Sequence, residues 1–139
     1  MEVQVNMWAV LLATLSSMAV GSIWYAQGVF GKMWMKLAKV DPKKDGGSVW
    51  MPLTTTFIVS FLTAYVLAHV TYLSHVYFDN SFLRDALSTA FWLWLGFTAA
   101  RFITHDAFEG RPAKLTLLNV THELVTLLIM GLVLGLMQP

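Results

Sequence analysis

An all-α bundle of four transmembrane helices, a polytopic membrane protein with short loops and both termini outside, is the fold this sequence predicts. Three observations predict it. The 139-residue chain is 57% hydrophobic and 12% charged, about half the charge that soluble domains carry. Four apolar stretches cover residues 5–30, 49–78, 82–108 and 113–137. Eight of the nine Lys and Arg residues lie in or beside the first and third connections between those stretches.

Each stretch exceeds the roughly 20 residues that cross a bilayer core of about 30 Å. Backbone groups in hydrocarbon must pair within their own segment, so the stretches are helices. The first is read as an uncleaved span and not a signal peptide, because its leading residues include Glu2 and no Lys or Arg and its apolar run is too long. Asp41-Pro42 ends the region after it, and Gly46-Gly47-Ser48 gives a flexible link and a cap for the second helix. Asp79-Asn80-Ser81 is a tight turn with capping side chains. Glu109-Gly110-Arg111-Pro112 places Gly past one helix end and Pro near the next start. One domain, residues 1–139, accounts for the whole length.

The first connection holds Lys32, Lys36, Lys39, Lys43 and Lys44, and the third region holds Arg101, Arg111 and Lys114. The second connection holds Arg84 alone. The positive-inside rule puts the first and third connections in the cytoplasm and both termini outside, in the cell (cytoplasmic, inner) membrane. A net charge of +1, with no basic patch away from the membrane flanks, argues against nucleic acid. The chain has no cysteine, which removes thiolate chemistry, disulfides and Cys-based metal sites.

Four groups of residues invite a role. From Gly31 to Val40, Lys32, Lys36, Lys39 and Lys43 share one helical face, and Met33, Leu37 and Val40 share the other. This segment is either an interfacial helix whose lysines anchor to lipid headgroups or a flank that extends the first helix. Small residues recur at four-residue spacing: Ala9, Ala13, Ser17 and Gly21; Ser60, Ala64 and Ala68; Gly96 and Ala100; Gly131 and Gly135. Such stripes let backbones approach closely, within one bundle or between copies in a homo-oligomer, of which a dimer is the simplest. His69 and His75, with their neighbouring tyrosines, fit an aromatic belt.

The remaining group is polar and sits toward the cytoplasmic side. Asn119, His122 and Glu123 share one helical face. Arg101 lies on the preceding, antiparallel helix at a depth from which its side chain could reach Glu123. An ionised side chain facing lipid at depth costs at least about 2.5 kcal/mol, so the two are expected to face inward and pair. His105 and Asp106 lie nearer the surface, and Trp24 and Tyr25 reach similar depth from the first helix. The group is either a structural ion pair with hydrogen-bonding neighbours or a polar pocket for a small ligand, an ion or protons. A zincin site fails, because Thr126 stands where the second His is needed. No cofactor and no metal are expected, and no serine-hydrolase motif is present.

Gly21-Ser22-Ile23-Trp24-Tyr25, Phe30-Gly31-Lys32-Met33-Trp34, Trp94-Leu95-Gly96-Phe97, Phe108-Glu109-Gly110-Arg111-Pro112 and Met130-Gly131-Leu132-Val133-Leu134-Gly135 run in order along the chain. With Asn119 they resemble the small bacterial membrane proteins of domain of unknown function 1761. The resemblance implies a four-helix integral membrane protein and carries no activity. The functional expectation is a non-enzymatic oligomer that binds or passes a small solute, ion or proton through the cytoplasm-facing polar site. An accessory subunit docking onto a larger membrane complex is the alternative, and an intramembrane enzyme is the third.

Overall fold

The computed structural model describes residues 2–41, 43 and 46–139, so Pro42 and Lys44 of the first connection lie outside the described residues. Four helices are long and apolar enough to span a membrane: α1 (Met7–Trp24), α3 (Trp50–Phe78), α4 (Phe82–Phe108) and α5 (Ala113–Met137). A short helix, α2 (Gly31–Ala38), separates the first two. No strand occurs among the described residues.

Local chemistry sets the ends. Asn6 caps α1, its Oδ1 accepting from the Trp8 and Ala9 amides at 3.1 and 3.2 Å. The same side chain donates through Nδ2 to the Met137 and Gln138 carbonyls at 3.1 and 3.0 Å, fastening the start of α1 to the end of α5. Ser81 caps α4. Gly110, at φ 66°, makes the left-handed turn between α4 and α5.

The first helix is shorter than the sequence predicts. It stops at Trp24, and the Phe30 and Gly31 amides turn back to the Trp24 and Ala26 carbonyls at 3.1 and 3.0 Å. A Cβ on Gly31 would run into the Tyr25 carbonyl, so only glycine permits this turn. The Lys-rich segment after it is therefore a separate helix packed on α5 and not an extension of α1. Lys32, Lys36, Lys39 and Lys43 are all exposed.

The long helices form a ring in the order α1, α3, α4, α5, with α5 packed against both α1 and α4. The end with the α1–α3 and α4–α5 connections is called the basic end below, and the opposite end carries both termini. The close-packed core, with Ala9, Ala13, Ala64, Leu67, Met130 and Leu134, sits toward the termini. There the small residues do their work. A Cβ on Gly131 would meet the Ala86 carbonyl oxygen at 3.1 Å, and one on Gly135 would meet Leu83 Cα at 2.8 Å. The Gly131–Gly135 face is thus occupied by α4 of the same chain. Gly96 has open space where its Cβ would lie. Toward the basic end the bundle loosens, and residues 50–59 of α3 are all exposed.

α4 is interrupted by a π-helical turn, Trp94–Ala99, closed by a bond from the Ala100 amide to the Leu95 carbonyl. The wide turn adds residues to the helical circuit and re-aims everything that follows it.

Candidate functional site

Where α3 diverges, a cleft of about 550 Å³ opens between α1, α3 and α5. The Ser17 and Ser60 hydroxyls, hydrogen-bonded at 2.9 Å, lie at its inner limit. Its polar lining includes Ser22, Thr56, Thr63, His122, Glu123 and Thr126, and Met18, Leu53, Leu127 and Met130 add apolar wall. These residues belong to helices otherwise apolar enough to sit in a membrane.

His122 is the hub. It is nearly buried, with 12% of its side chain exposed against 33% for Glu123. His122 Nδ1 lies 3.2 Å from Glu123 Oε1, and Nε2 lies 3.4 Å from Thr126 Oγ1. The carboxylate can only accept, so Nδ1 carries the proton toward it, and the Thr126 hydroxyl then donates to Nε2. The imidazole bridges the two partners. Rings close around it: the Tyr25 centroid is 4.9 Å away and the Trp24 centroid 5.9 Å. The Tyr25 hydroxyl donates to Asn119 Oδ1 at 3.3 Å, and its ring meets Trp34 of α2 edge-on at 5.6 Å. Gly21 lies against the imidazole with room to spare, since a Cβ there would meet His122 Nε2 at an ordinary contact distance of 3.6 Å.

The structure thus brings Trp24, Tyr25, Asn119, His122 and Glu123 together, and it leaves Arg101, His105 and Asp106 elsewhere. The expected Arg101–Glu123 pair does not form. Arg101 is exposed and makes no ion pair with Glu123. Depth along the helix is comparable, but the π turn at Trp94–Ala99 re-aims the segment that carries Arg101. His105 is also exposed. Asp106 is buried for a different purpose. It accepts from Thr116 Oγ1 at 2.7 Å and faces Arg111 at 3.7 Å, while Arg111 binds Glu109 at 2.6 Å. These contacts lock the α4–α5 turn.

A matching clamp at the other end escaped the sequence reading. Asp85, 3% exposed, is held by His75 Nδ1 at 3.3 Å and by Asn80 Nδ2 at 3.1 Å. His75 therefore has a specific partner beyond an aromatic belt. Thr126 and the Ser17–Ser60 pair were also missed as site residues. The i+4 spacing of Thr126 from His122 was the available signal.

The family model described as "Protein of unknown function (DUF1761)" matches residues 8–135, from the first turn of α1 to the last turn of α5. The chain belongs to the DUF1761 family. No curated protein and no solved structure matches it. Several of the motifs that carried the resemblance fall into two structural classes in this DUF1761 protein. Gly21, Trp24, Tyr25 and Asn119 build the His122 cluster. Gly131 and Gly135 hold α5 against α4, and Glu109 and Arg111 lock the turn between them. Among the described residues no group of three His, Asp or Glu side chains converges as a metal would require.

Proposed function

We propose that this DUF1761 protein is an integral protein of a bacterial inner membrane that binds a small solute in the α1–α3–α5 cleft. The carrying observation is the cleft itself: hydroxyls, an imidazole and a carboxylate gathered between helices that are otherwise apolar. Intramembrane ionisable groups mark sites by default, and pockets of roughly 300–1,000 Å³ suit small ligands. The position of the Ser17–Ser60 pair, with the close-packed core beyond it, favours a site open toward one end over a continuous pore. The distribution of basic residues supports an orientation with the termini outside and the cleft facing the cytoplasm. The exposed lysines around α2 support its lying against anionic headgroups.

A second reading, docking onto another membrane subunit, draws on residues 50–59, all exposed. A stoichiometric companion retained through mild-detergent purification would favour it.

The absence of native cysteine makes the first reading easy to test. A cysteine at Gly21, inside the cleft, is expected to react with the neutral, water-soluble reagent 2-hydroxyethyl methanethiosulfonate. One at Leu12, 48% exposed on the flank of α1, should react far more slowly. Equal slow rates at both positions would sink the reading. For sidedness, an impermeant reagent outside intact cells should label a cysteine at Asn80 and spare one at Gly46, and the reverse pattern would invert the orientation.

A further inference from the structure

We infer that the cleft selects a small organic cation with an apolar part, held by the Glu123 carboxylate. The inference rests on the binding reading above and adds the class of ligand to it.

The charge inventory is one-sided. Glu123 is the only acid in the cleft lining, and no Lys or Arg lines it among the described residues. Arg101, the cation the sequence offered as a partner, is turned away. His122 is the basic side chain that faces Glu123, at 3.2 Å, and it is shared with Thr126 at 3.4 Å. The carboxylate thus has no Lys or Arg partner in the cleft among the described residues, and a charge without a full counter-charge is costly among apolar helices. A cationic ligand removes that cost. An anion would add to it, and a neutral molecule would leave it unchanged.

The remaining lining narrows the class. A bare divalent ion needs several oxygen ligands converging on a point, and one carboxylate among dispersed hydroxyls does not provide them. The Tyr25 side chain lines the cleft, and aromatic rings attract ammonium groups. Met18 and Met130 line it too, and flexible thioethers adapt to apolar shapes. Carboxylate, aromatic ring and adaptable apolar wall together fit an alkylammonium bearing a hydrocarbon or aryl group.

The test uses the Gly21→Cys protein in nanodiscs of zwitterionic phosphatidylcholine, so that lipid charge does not contribute. Three methanethiosulfonates of similar size are compared: trimethylammonium-ethyl (cationic), sulfonatoethyl (anionic) and hydroxyethyl (neutral). Each rate is divided by that reagent's rate with free 2-mercaptoethanol. The cation is expected to lead the anion by about tenfold or more, the scale on which a single-signed cleft concentrates its counter-ion. The exposed lysines of α2 would bias the result in the opposite direction, so a cation preference cannot come from them. Adding Glu123→Gln should bring the ratio toward one, and Glu123→Asp, which keeps the charge, should preserve most of it. Benzyltrimethylammonium should slow the hydroxyethyl reaction, and phenylacetate at the same concentration should not.

Equal normalised rates for cation and anion would overturn the inference, as would a preference that survives Glu123→Gln or equal protection by phenylacetate. In those cases a brisk hydroxyethyl reaction would leave the binding reading standing. Failure of the hydroxyethyl reagent to react would remove the binding reading itself.

Discussion

Replacing Gly135 by alanine tests how tightly α5 is set against α4. The added Cβ would sit 2.8 Å from Leu83 Cα, about 0.6 Å inside the 3.4 Å at which ordinary contact begins. Leu83 Cα is backbone, so no rotamer change relieves the clash, and the helices must part by at least that amount. A gap of about 0.5–1 Å forfeits a quarter to a half of each contact's attraction. One turn away, Gly131 already lies at 3.1 Å from both the Ala86 oxygen and Ala90 Cβ on the scale of an added Cβ, and that stretch would open as well. Overpacking of this kind costs about 1–3 kcal/mol. In a titration with sodium dodecyl sulfate the denatured helices stay helical, so the usual Gly-to-Ala gain in helix propensity largely cancels. Gly96→Ala, which enters open space, is the control. Gly135→Ala should unfold at a clearly lower detergent fraction than Gly96→Ala. Identical midpoints would refute the close α4–α5 contact and return the glycine pair to a face available to other copies.

Two further outcomes follow from the geometry. Arg101→Met and Glu123→Gln should have additive effects on thermal unfolding, within about 0.5 kcal/mol, because the residues share no partner; a coupling well above that would restore the ion pair. Asn6→Ala should cost about 1–2 kcal/mol through loss of the cap, and Asn6→Asp should fall between it and the parent, keeping the acceptor for the α1 amides but losing the donor to Met137 and Gln138. The same detergent titration reads both, and an unchanged Asn6→Ala would show that the two helix ends are not fastened there.

The sequence made the four-helix plan legible because its breaks have unambiguous chemistry. Asp79-Asn80-Ser81 and Glu109-Gly110-Arg111-Pro112 end and restart helices where the structure does, at Phe78, Phe82, Phe108 and Ala113. The end of α1 was illegible for the opposite reason. Gln27 and Gly28 only briefly interrupt the apolar residues of 25–30, and the decisive fact is the pressure of the Tyr25 carbonyl on Gly31, a three-dimensional contact that composition does not state. In the site, the Asn119–His122–Glu123 face was readable from α-helical spacing on an unbroken helix. Arg101 was misplaced because counting residues gives height along a helix, whereas direction around it depends on the π turn. Glycine spacing likewise announced close approach without saying which helix would come close.

The bridge from Asn6 to the end of α5 has a consequence in time. The two ends it joins are 131 residues apart, and chains grow at about 5–20 residues per second. α1 must therefore wait roughly 7–26 seconds for the partner that fills its second flank. Until then α1, α3 and α4 can form only an open horseshoe, with the Ser17–Ser60 pair among its few polar contacts. His122, Glu123 and Thr126 all arrive on the last helix, so the cleft is the final part of the molecule to come into being.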